Sequence, residues 1–128
     1  MTRMKSTTGR VPSEADEQKA LFEWAGWARG KFPELALLYH CPNGGTRNPV
    51  EARHLKEQGV KPGVPDICLP VPNLHYAALY IELKRRKGGR VSDEQRGWIA
   101  ALNRAGNHAV VCKGWEEAKR VILEYLSQ

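Results

Sequence analysis

The sequence predicts an α/β domain in which a mixed central β-sheet is flanked by α-helices. Three observations predict it. Apolar residues recur at three- and four-residue steps in segments that open on capping residues, as amphipathic helices require. Between them lie short apolar runs bounded by Pro, Gly and Asn, as strands require. The resulting order, α-β-α-β-β-α-β-α, contains both hairpin-like and crossover connections, so antiparallel and parallel pairs share one sheet. With 128 residues the chain can bury one core but not two.

Residues 1–11 read as a flexible basic arm, with Arg3, Lys5 and Arg10 among threonines and glycine, and residues 12–128 as one domain. Ser13 is an N-cap with Asp16 as its capping-box partner, opening a helix that runs to about Gly30. Its apolar stripe holds Leu21, Phe22, Trp24, Ala25 and Ala28. Leu35 to Cys41 is a short apolar run read as a strand, ended by the turn residues Pro42-Asn43-Gly44-Gly45. A helix follows over Pro49 to Gln58, stopped by Gly59. A loop at Lys61-Pro62-Gly63 leads into a strand over Asp66 to Val71. Pro70, Pro72 and Asn73 mark a turn before the next strand, Tyr76 to Lys84. Arg85 to Arg90 is a basic, glycine-bearing loop. Ser92 caps the next helix, to about Ala105, with Gln95 in capping-box relation. His108 to Cys112 is the last strand and Trp115 to Leu126 the closing helix.

Composition bounds the function. Lys and Arg outnumber Asp and Glu by 20 to 14, a net charge of +6, which favours a polyanionic partner such as nucleic acid. The three cysteines, Cys41, Cys68 and Cys112, lack CxxC spacing, which excludes a disulfide framework or a zinc site and fits a reducing compartment. The N-terminus has no apolar core of a secretory signal, and no run approaches a membrane span. The expectation is a soluble, cytoplasmic protein with no membrane partner and no organic cofactor. No GxSxG, P-loop or Ser-His-Asp order is present.

One arrangement carries chemistry. Gly63-Val64-Pro65-Asp66 opens one strand, and Glu82-Leu83-Lys84 closes the next. Strand alternation puts Tyr80, Glu82 and Lys84 on one face and Ile81 and Leu83 on the other. If the two strands pair, Asp66, Glu82 and Lys84 meet at one point, with the Leu83 carbonyl as an extra oxygen. Phosphodiester hydrolysis needs a metal to neutralise the phosphate and activate water, and Mg²⁺ prefers oxygen ligands. The bland alternative is a turn-capping Asp66 and a surface Glu82–Lys84 ion pair. The half-buried strand and the preceding Gly-Val-Pro-Asp favour the functional reading.

In these motifs the chain resembles the VRR-NUC domains of the PD-(D/E)XK, restriction-endonuclease-like superfamily. The resemblance rests on Gly63-Val64-Pro65-Asp66, Tyr80-Ile81-Glu82-Leu83-Lys84 and Ser92-Asp93-Glu94-Gln95. Upstream it extends through Glu14-Ala15-Asp16-Glu17-Gln18, His40 to Arg47 and Leu55 to Val60. It implies a restriction-endonuclease-like core and a Mg²⁺- or Mn²⁺-dependent nuclease. Stand-alone members from phages and bacteria are associated with homodimers that cut branched DNA such as four-way (Holliday) junctions; the matching compartment is the host cytoplasm.

Carried over by position, Asp66, Glu82 and Lys84 match the metal-and-water core. The resemblance expects a first-helix Glu four residues before a Gln, here Glu14 before Gln18. That spacing puts both on one face, continuing through Leu21 and Ala25 into the packed stripe. Glu17 ranks second, and Asp16 serves the helix terminus. Gln95 is either a capping-box residue or an active-site contact. His40 is a phosphate contact or a turn-bound structural His, and Asn43 is explained by its turn. Arg47, Lys61, Arg85, Arg86, Lys87 and Arg90 are candidate DNA contacts. The four tryptophans read as core or dimer contacts, and Cys68 as a small buried apolar residue. A non-catalytic DNA-binding module, or a nuclease acting on nicked, flap or linear duplex DNA, are the alternatives. A sequence-specific restriction enzyme is disfavoured because no target-recognition segment is evident.

Overall fold

The computed structural model describes residues 10–42 and 48–128. The arm up to residue 9, and Asn43 and Arg47, lie outside the described residues. Helix α1 (Glu14–Ala28) starts where the sequence places it. Ser13 Oγ accepts from the Asp16 N–H at 3.1 Å, and the Asp16 carboxylate accepts from the Ser13 N–H at 3.0 Å. Its packed stripe is Glu17, Leu21 and Ala25, so the line that continues into the core begins at Glu17 and not at Glu14–Gln18.

The strand expected over Leu35 to Cys41 is corrected. Pro33–Leu37 form a 3₁₀-helix, followed by a two-residue strand β1 (Tyr39–His40). Pro33 sits at the helical start, and Leu35 and Leu38, three apart, are the buried pair. A three-residue period suits a 3₁₀ turn and cannot suit a strand, whose period is two.

Helix α2 (Pro49–Glu57) is capped by the Asn48 side chain, which accepts from the Val50 and Glu51 N–H groups at 2.9 and 3.1 Å. Strands β2 (Ile67–Leu69) and β3 (Leu79–Lys84) are both shorter than expected. Pro70 has no N–H to continue a ladder. Upstream of β3, Asn73 Oδ1 accepts from the His75 and Tyr76 N–H groups, both at 2.8 Å, holding a turn where a strand was expected. Helix α3 (Asp93–Arg104), strand β4 (His108–Lys113) and helix α4 (Trp115–Leu126) complete the chain.

The sheet order is β1-β2-β3-β4. β1 and β2, and β2 and β3, are antiparallel; β3 and β4 are parallel, with Glu82 opposite Val111 and Lys84 opposite Lys113. The mixed sheet is the expected one. Alternation along β3 separates two faces. Ile81 and Leu83 join Leu21, Ala25, Ala118 and Ile122 in a core beneath α1 and α4. Glu82 points the other way, towards α3. The three cysteines are free, with Cys68 and Cys112 buried. Among the described residues no helix is long and apolar enough to cross a membrane.

Candidate active site

The site forms where β2 begins and β3 ends. Asp66 precedes β2, and its carbonyl accepts from the Cys41 N–H at 2.6 Å and from His40 Nδ1–H at 2.9 Å. A carbonyl can only accept, so Nδ1 carries the ring proton. His40 is thus held by backbone beside the site. The Asp66 carboxylate accepts from the Leu83 N–H at 2.9 Å. In an antiparallel pair a residue's N–H and C=O point to the same side, so the Leu83 carbonyl also leaves β3 on the Asp66 side, past the end of β2.

Glu82 is 1% exposed. Its Oε2 accepts from Gln95 Nε2 at 3.0 Å and lies 3.7 Å from Lys84 Nζ. Its Oε1 is buried with no hydrogen-bond partner. Burial, then the charge of neighbouring Asp66, push the Glu82 carboxyl up to about 8, with Lys84 pulling the other way. The alternatives left open for Gln95 are both realised. Its Oε1 accepts from the Ser92 N–H at 2.8 Å, closing the capping box, while its Nε2 holds Glu82.

The two first-helix acids separate. Glu14 is half exposed, and its Oε2 lies 3.9 Å from Lys84 Nζ. Glu17 is fully buried and has other partners. It accepts from Arg86 Nε at 2.8 Å, Arg86 Nη2 at 3.1 Å and the Trp115 N–H at 3.0 Å. Glu17 therefore caps α4, whose N-cap Gly114 offers no side chain, and ties α4 to α1 and to the loop after β3. Arg86, expected on the DNA-binding surface, is drawn into this ion pair and a second one with Glu116 at 3.5 Å. Sequence reading missed this staple; the spacing Glu17-Leu21-Ala25 was its available signal.

The remaining expected contacts scatter. Lys61, Lys87 and Arg90 are exposed, while Arg85 is partly buried with an unpartnered Nε. Gln18 and His40 line an open groove between α1 and β1. Trp27 is 80% exposed and so is not a core residue, and Lys119 Nζ lies over the Trp24 and Trp115 rings at 5.8 and 5.9 Å.

Glu14, Asp66 and Glu82 do not gather around one point. Among the described residues no three His, Cys, Asp or Glu side chains converge as a metal cluster. The convergent set is Asp66 and Glu82, with Glu14 standing beside Lys84. That set still fits a hard cation. Mg²⁺ is commonly held by one or two carboxylates, keeping waters for the substrate side. The orphaned Glu82 Oε1 and its protonation-favouring burial are what a carboxylate awaiting positive charge presents.

A sequence model of the VRR-NUC domain matches residues 10–116, most of the chain. The chain belongs to the VRR-NUC domain family. A solved structure described as a "VRR_NUC domain protein" is similar to it, with a TM-score of 0.79 and 28% identity over 92% of this chain and 91% of that one. No curated protein matches. The VRR-NUC domain is a nuclease-type, DNA-processing fold, and the α/β architecture here is of that type.

Proposed function

We propose that this VRR-NUC domain is a divalent-metal-dependent DNA endonuclease that hydrolyses phosphodiester bonds. We further assign it branched DNA, such as four-way (Holliday) junctions, and action as a homodimer. The observation that carries the reading is Glu82, buried beside Asp66 with Oε1 unpartnered and Lys84 Nζ 3.7 Å from Oε2.

Asp66 and Glu82 would hold Mg²⁺ or Mn²⁺, with the Leu83 carbonyl on the same side. When bound, the ion supplies charge neutralisation at the phosphate and a more acidic water. The chain's own residues do the rest. Gln95 fixes the Glu82 carboxylate through one oxygen and leaves the other facing the site. The Leu83 N–H fixes Asp66. Lys84, held between Glu82 and Glu14, presents an ammonium that orients the attacking water and offsets charge developing on the phosphate. Lys61, Lys87 and Arg90 supply sequence-independent phosphate contacts. Two copies would suit the two symmetric cuts that resolve a junction.

The test incubates wild type and Glu82→Ala with four-way, flap, nicked and linear DNAs, in Mg²⁺, Mn²⁺ or chelator. Wild type should cut only with metal, and the variant should lose about 100-fold or more, the usual scale for a residue acting on the transition state. Wild type that binds DNA but cuts none under any metal would make the chain a binding module instead.

A further inference from the structure

An open groove of about 400 Å³ runs along the outer side of α1, with Ala15, Gln18, Lys19 and Phe22 on one wall and His40 of β1 on the other. Its place is what gives it meaning. Gln18 lies one helical turn beyond Glu14, whose carboxylate meets Lys84. His40 is bonded to the carbonyl of Asp66 itself. Two of the groove's residues thus neighbour the site, Gln18 through the turn of α1 that carries Glu14 and His40 through the Asp66 backbone. Its surface is mainly apolar, from Ala15 and the partly buried Phe22 ring, with one exposed cation, Lys19, and one imidazole at the rim.

An aromatic floor with a positive rim is how proteins hold unpaired nucleotides. Bases stack on rings, and cations take the phosphates. The volume is at the small end of ligand sites, about 300–1,000 Å³, which admits a nucleotide and not a duplex. We propose that this groove receives an unpaired nucleotide flanking the scissile phosphate, its base against Phe22 and its phosphate between Lys19 and His40. Among branched DNAs the groove would then favour forks and flaps, whose strands are unpaired next to the cut, over four-way junctions, whose arms are paired. The inference rests on the nuclease reading for its location but predicts binding that needs no cleavage.

The test uses the full chain with Ca²⁺ in place of Mg²⁺. A forked DNA carrying 2-aminopurine at its first unpaired position is compared with a fully paired duplex of equal length, by fluorescence anisotropy and by 2-aminopurine quenching. Wild type should prefer the fork and quench the probe. Lys19→Ala and Phe22→Leu should each cut the fork-to-duplex preference by about tenfold, the worth of one stacked or paired nucleotide, and Phe22→Leu should abolish the quenching. Equal losses on both DNAs, unchanged preference in both variants, or no preference in wild type would overturn the proposal. Should Phe22→Leu fail to fold, Lys19→Ala alone decides. Failure of the nuclease reading shows separately, as absence of cutting in Mg²⁺ and Mn²⁺ while fork binding persists.

Discussion

At Glu82 a carboxylate is kept where water cannot solvate it. Burial and Asp66 push its pKa up to about 8, from an ordinary value of 4.5. Between those values the folded, metal-free chain holds a proton that the unfolded chain has released, so stability falls as pH rises through that window. The metal-free wild type should lose thermal midpoint from pH 5 to 8, and Glu82→Gln should flatten that slope; parallel curves for the two proteins would refute the assignment. Glu17 is the contrasting acid. It is equally buried but answered by Arg86 and the Trp115 N–H. Arg86 is 40% exposed and keeps Glu116, but the Trp115 N–H loses its acceptor, so Glu17→Ala should cost about 1–3 kcal/mol in chemical denaturation. Glu14→Ala, on a half-exposed side chain, should cost under about 1 kcal/mol. Reversal of that order would mean the Glu17 staple does not hold the fold.

Among the elements, the approach to β2 is the most constrained. Gly63 has φ +89, and a Cβ there would meet the Glu94 backbone carbon and oxygen at 2.7 and 2.8 Å. The loop ending in Asp66 thus rests directly on the first turn of α3, the turn that delivers Gln95. Gly63→Ala combines a left-handed penalty with overpacking against backbone, together about 2–5 kcal/mol. Its denaturation midpoint should drop accordingly, and cleavage by the surviving folded fraction should fall as well, because Asp66 and Gln95 are positioned by the same contact. A stable variant with full activity would show that the loop is free to move. The helices were legible because capping boxes are local: Ser13 with Asp16, and Ser92 with Gln95, are complete within four residues. The 3₁₀ turn at Pro33–Leu37 was not, since a short apolar run has no period until packing selects one.

For the whole molecule, the charge of +6 and the cations around the β3 end predict DNA affinity that falls steeply with salt. The homodimer belongs to this scale too. Sedimentation at working concentrations should give twice the mass of one chain, and a single monomeric species would remove the dimer from the mechanism. Alternation along β3 organises everything else: its odd positions build the core under α1 and α4, and its even positions face the site and α3.

The sequence by itself determined the order of elements, the mixed sheet and the family, because periodicity, caps and the Gly-Val-Pro-Asp and Glu-Leu-Lys motifs are properties of neighbouring residues. It also marked Asp66, Glu82 and Lys84 as the group to watch. Only the tertiary structure decided how the acids of α1 divide. Glu17 meets Arg86 across 69 residues and Trp115 across 98, contacts that exist only once α1, α4 and the loop after β3 have packed together. It decided as well that Gln95 is both cap and Glu82 partner, and that Glu14 stands beside Lys84 and apart from the carboxylate pair. Local pattern fixes which face a side chain takes, whereas burial and partnership depend on chains of contact between distant segments.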